Sequence, residues 1–332
     1  MFGMLMRRRA RTVVGLVSAT VVTALITATT ATPAHADLLP YVPWSSYLAG
    51  WTDQYVPTSD NDCVAGRSNC LNGTLKEQSR IADDTASSCS HNAIFARAYV
   101  RMTQLYGYTR AIPGYYQDVP YFNHVDAVFA RYYTDAYYNW QNGNRAAVPQ
   151  AWLTALDAGK NKKVSGSGDL LLGMNAHINR DLPFVMAAVG LVAPDGSSRK
   201  PDYDAVEAWL YDATAPLIAE FAARFDPTID DTADPYGIGN WTLFQMVSDW
   251  RENAWRNAEA LISAPTPEAR ALVAANIEAQ ANNIAAGILN SESYVPLVSS
   301  TVPRDNYCAA HKGDTPPLPY AFGNASPWGY AY

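Results

Sequence analysis

Outside its N-terminus, the most apolar stretch of this chain is residues 170–191, and it carries the string Gly173-Met-Asn-Ala-His-Ile-Asn-Arg-Asp-Leu-Pro183. A helix built mostly of Leu, Val, Met, Phe and Ala is buried on most of its faces. Polar side chains inside such a helix are costly unless something bonds them. His177 and Asp181 lie four apart and share one face, while Asn175 and Asn179 repeat that spacing on an adjoining face. Pro183 has no N–H for the carbonyl of Asn179, so the helix kinks or ends there. Any fold this chain adopts must satisfy a histidine, a carboxylate and two amides within an apolar core.

The rest of the chain reads as helices around that segment. Apolar spacing predicts helices over 87–105, 120–140, 148–158, 201–225, 238–263 and 267–289. Pro120 and the Pro267-Glu268 pair stand where a first helical turn favours them. No strand alternation lasts, and no internal repeat or glycine-rich phosphate loop occurs. The expected architecture is all-α, a single helical-bundle domain over 86–289. Irregular arms flank it, one over 37–85 and a Pro- and aromatic-rich one over 290–332.

Residues 1–36 read as a secretory signal peptide. Arg7, Arg8, Arg9 and Arg11 precede an apolar stretch that ends at Ala34-His35-Ala36. Ordinary export is expected, with no stable membrane anchor after cleavage. Loss of the four arginines takes the formal charge from −7 to −11. An acidic surface disfavours nucleic acid and anionic lipid as partners. Disorder is excluded by 9 Trp, 9 Phe and 21 Tyr in the chain. The exported protein is expected to act outside the cell, as a monomer. Its four cysteines, Cys63, Cys70, Cys89 and Cys308, read as two disulfides. Cys63 and Cys70 are close enough to close a small ring, which leaves Cys89 for Cys308.

Histidine and carboxylate one helical turn apart commonly give two metal ligands. His177 and Asp181 are therefore candidate ligands, with Asn175 and Asn179 orienting them or polarising a substrate. The alternative is a buried polar network in which Asp181 orients His177 or pairs with an arginine. Asp126 falls in register with Phe122, Phe129 and Tyr133, which puts it on a buried face as a third ligand. His91, two residues from Cys89, and His311, three from Cys308, are drawn together if those cysteines pair. They then form a second site or a surface pair, and His91 is a further ligand candidate. Glu252 is either one half of a surface pair with Arg256 or a general base facing His177.

Phe122-x-x-x-Asp126-x-Val-Phe-Ala130, then Trp152, then the 173–183 string, resembles a bacterial family known as domain of unknown function 5995. The likeness spans 88–262. It implies that Asp126, Asn175, His177, Asn179 and Asp181 belong to the family's central motif, while the family name carries no activity. A weaker similarity, resting only on His177-x-x-x-Asp181, is to zinc-dependent phospholipase C and related nucleases. The two readings carried forward come from different classes. One is a secreted metal-dependent hydrolase, with zinc as the first expectation, acting on a phosphoester or lipid small-molecule substrate. The other is a non-catalytic secreted binding protein whose His/Asn/Asp cluster is structural.

Overall fold

The computed structural model describes residues 54–230, 238–294 and 301–322. The expected signal peptide and the first part of the N-terminal arm lie outside these residues. Among the described residues the fold is all-α, and the only pairings of extended backbone are two isolated bridges, Val164 with Ser293 and Val192 with Ser198. The helices are α1 (Ser68–Ser87), α2 (Ala93–Thr109), α3 (Val119–Gln141), α4 (Gln150–Lys160), α5 (Gly166–Met174), α6 (Leu182–Val189), α7 (Lys200–Arg224), α8 (Ile238–Ser263), α9 (Pro267–Glu292) and α10 (Val302–His311). A π-helical turn, Asn175–Asp181, joins α5 to α6 without a break. None of these helices is long and apolar enough to cross a membrane.

Local chemistry sets the helix starts. The Asp118 side chain accepts from the Tyr121 N–H and Pro120 opens α3, while Thr266 does the same for Ala269 ahead of Pro267 in α9. Ser165 caps α5 through the Gly168 N–H. The arms are more ordered than their composition implies. Helix α1 occupies the second half of the stretch expected to be irregular, because Leu71, Leu75, Gln78 and Ala82 make a narrow buried stripe among polar neighbours. Helix α10 likewise lies within the C-terminal arm.

Helix α2 sits at the centre and is buried on nearly every side, packed against α1, α5 and α7. The π-turn and α6 pack against α8, and the π-turn also against α9. Cys63 is joined to Cys70 and Cys89 to Cys308, with Cα–Cα separations of 4.8 and 5.9 Å. The second bridge ties α10 to the start of α2. Beside it, Arg304 reaches into the core to Asp169 (2.8 Å) and to Asp226 (3.4 Å).

Candidate functional site

Pro183 explains the π-turn. It cannot supply the N–H that the Asn179 carbonyl needs four residues on, and the ladder widens just ahead of it. Gly173 fixes the turn's position, since a Cβ there would collide with the Phe95 ring on α2. That close approach brings His177 into a cage of aromatic rings. Phe129 stacks on the imidazole at 3.5 Å between centroids, and Tyr99 meets it edge-on at 4.5 Å.

The His177 Nδ1 lies 3.1 Å from Asp181 Oδ2. A carboxylate only accepts, so Nδ1 carries the hydrogen and Nε2 presents a lone pair. Asp181 is held in turn: Trp152 Nε1 donates to Oδ2 at 2.8 Å and Arg180 to Oδ1 at 3.0 Å. Burial lowers the His177 pKa while Asp181 opposes the shift, so the imidazole is neutral at neutral pH. Nε2 has no hydrogen-bond partner within the protein. The His177 side chain lines a cavity of about 190 Å³ walled by α2, α3, α5, the π-turn, α6, α7 and α8.

The lining is overwhelmingly apolar, with Met102, Phe122, Leu182, Met186, Val206 and Leu217 among its residues. Its polar groups divide into two sets. Tyr106, Tyr203, Trp209 and Thr214 each donate to a protein acceptor. Tyr99 Oη, Thr103 Oγ1, Asp126 Oδ2, His177 Nε2 and Arg251 Nε have none within the protein. Thr85 and Thr109 bond back to the carbonyl four residues earlier, as helical threonines do, and Thr103 does not. Burial pushes the Asp126 carboxyl up to about 7, against the pull of Arg110. It also raises the Tyr99 hydroxyl well above its usual range, assisted by the nearby charges of Asp126 and Asp181.

The remaining expected site residues lie elsewhere. Asn175 donates to the Ala281 carbonyl of α9 (2.8 Å) and accepts from Asn179 (3.1 Å), so this pair ties the π-turn to α9 and does not line the cavity. Glu252 does not face His177. It is about 45% exposed on α8, with Oε2 on Lys200 (2.8 Å) and Oε1 on Arg256 (2.7 Å). His91 belongs to the α10 anchor. Arg304 donates to its Nδ1 (3.0 Å), and its Nε2 lies 3.0 Å from Asp305 Oδ1, so both ring nitrogens are occupied. Burial and Arg304 hold its pKa down to about 4. His311 is partly exposed and bonded to Asp314.

These engagements decide how the residues suit a metal. Both Asp181 oxygens and His177 Nδ1 are taken by one another or by donors, which leaves only His177 Nε2 and Asp126 to offer. Among the described residues no three His, Cys, Asp or Glu side chains form a group that could hold a metal ion. The expected zinc set does not fit these side chains.

A family model matches residues 71–291, about two thirds of the chain. The chain belongs to the family of unknown function DUF5995. The match extends beyond the 88–262 expected from the sequence and takes in α1 and α9, so nearly all the helical core is family structure. No curated protein and no solved structure matches this DUF5995 member. Tyr99 and Thr103 are the site residues that sequence reading missed. They gave no signal in the sequence, since a tyrosine and a threonine one turn apart are ordinary on a buried helix until their hydroxyls are found without partners.

Proposed function

We propose that this chain is an exported hydrolase that takes an apolar, lipid-like small molecule into the cavity and uses His177 as its general base. The observation that carries this reading is the His177 ring itself. Its Nδ1–H is fixed on Asp181, its Nε2 lone pair has no partner within the protein, and the residue lines an otherwise apolar cavity. A base positioned this way removes the proton of an attacking water, and Asp181 stabilises the imidazolium that forms. The proton then passes from Nε2 to the departing group, so one water is consumed and the base is restored. Asp126, protonated, donates a hydrogen bond to the substrate carbonyl as negative charge develops there and keeps its proton throughout. Groups whose pKa values are pushed apart in one site divide naturally into acid and base.

Export is supported by the basic-then-apolar N-terminus and by the two disulfides. A carrier without turnover is the second reading, favoured by the aromatic cage that closes on His177. The deciding experiment has two parts. Nitrogen-15 NMR of the imidazole rings is expected to show His177 protonated at Nδ1. A panel of apolar esters is expected to be cleaved by the native chain and not by His177→Gln. Binding of the panel without cleavage by either protein would establish the carrier instead.

A further inference from the structure

We propose that the cavity selects an apolar molecule bearing a single uncharged oxygen function, an ester carbonyl or a hydroxyl, seated among Tyr99 Oη, Thr103 Oγ1, Asp126 and His177 Nε2. This inference rests on the reading of the cavity as a substrate site and names the class of molecule it takes.

The four polar groups belong to residues that line one cavity. Tyr99 touches the His177 ring at 4.5 Å, and its hydroxyl feels the charge of Asp126. Thr103 follows Tyr99 by one turn on the same face of α2. Tyr99, Thr103 and His177 are 7%, 1% and 3% exposed, so little bulk water reaches them. A buried hydroxyl without a partner costs free energy that a ligand oxygen restores. Two hydroxyls can each donate to a ligand oxygen, and Nε2 can accept from a ligand hydroxyl. That set matches a neutral oxygen and its lone pairs.

A charged head group does not match. Moving a carboxylate or phosphate into apolar surroundings is prohibitive unless a cation compensates it. Among the described residues, Arg251 is the only Lys or Arg in the lining. Its Nη2 donates to the Tyr203 carbonyl (2.5 Å) and its guanidinium stacks on the Tyr203 ring (4.2 Å), while its Nε, which has no hydrogen-bond partner, lies 3.8 Å from Glu207, so its charge is already offset by a carboxylate. Asp126 adds repulsion when ionised and no positive charge when protonated. Phosphoesters, one of the two substrate types expected from the sequence, are therefore disfavoured against carboxylic esters and alcohols.

The test uses the full exported chain and displacement of a solvatochromic apolar dye at pH 8. Four ligands share one ten-carbon chain: decanol, methyl decanoate, decanoate and decyl phosphate. Decanol and methyl decanoate are expected to displace the dye at concentrations at least tenfold below those of the two anions. Tyr99→Phe and Thr103→Val are expected to weaken the neutral pair about fivefold each relative to the dye. Thr103→Ser, which keeps the hydroxyl, should restore the affinity for the neutral pair. Equal or tighter binding of decanoate or decyl phosphate overturns the inference while leaving the cavity reading intact. A chain that binds neither dye nor any of the four ligands overturns the cavity reading itself.

Discussion

His177 and Asp126 share one cavity and one cause of perturbation, burial, yet the shifts run in opposite directions. Desolvation disfavours whichever form is charged, so it drives the imidazole down and the carboxyl up. The acid–base pair is correctly set where His177 is neutral and Asp126 protonated. Turnover is expected to fall as pH rises through about 7, where Asp126 ionises. It should fall again at acid pH, where His177 gains its proton below its usual range. Asp126→Asn should abolish the alkaline limb, and a pH–rate profile of both proteins checks this. The same shift affects stability. The folded pKa of Asp126 lies above its unfolded value, so the folded state binds the proton more tightly and loses stability as pH climbs from about 4 to about 7. Asp126→Asn removes that loss and should be the more stable protein at pH 8 by a few kcal/mol, on the order of what such a shift implies. Denaturant melts at pH 5 and pH 8 measure it. Sequence could expose His177, Asp181 and Asp126 because each breaks an apolar pattern. It could not separate Glu252 from a surface pair, since Glu and Arg at i,i+4 look alike in either role. It could not flag Tyr99 either, because tyrosine is at home in a core until its hydroxyl is found without a partner.

At the scale of elements, the cavity is walled by helices whose hydrogen-bond ladders are interrupted. The π-turn interrupts one wall, and Pro216, between the lining residues Thr214 and Leu217, interrupts α7. Both interruptions trace to a proline that cannot donate. Periodicity was enough to place α3, α7, α8 and α9 within a few residues, because each carries its apolar stripe and most carry an opening proline. It was not enough for α1, whose stripe is narrow and includes a buried glutamine. Nor could it give the π-turn, because a missing donor does not say whether a helix ends, kinks or widens. Gly173 is the element-scale residue on which the site depends. Gly173→Ala should force Phe95 away from α5 and cost about 1–3 kcal/mol of stability, as overpacking does. Because Phe95 borders His177 at 5.9 Å between ring centroids, the variant should also shift the His177 ring resonances. An unchanged melting temperature together with an unmoved His177 would count against this packing account.

At the scale of the molecule, the two disulfides act very differently. Cys63 and Cys70 are 7 residues apart, and Cys89 and Cys308 are 219 apart. By loop-closure entropy the short bridge contributes roughly 2 kcal/mol and the long one roughly 5 kcal/mol. Cys89→Ser with Cys308→Ser should therefore lower the denaturation midpoint well beyond Cys63→Ser with Cys70→Ser, and paired urea melts compare them. The pairing was readable from spacing and count. The buried Arg304–Asp169–Asp226 anchor beside it was not, because charged residues in an apparently irregular arm give no sign of entering a core. The long bridge has one more consequence. Every helix that walls the cavity lies between its two cysteines, so the cavity-bearing part of the chain is a covalent ring. A protease outside the cell that cuts any one surface loop opens that ring without dividing it. The nicked protein should run as one band without reductant and as two with it, and it should keep its cavity assembled after the cut.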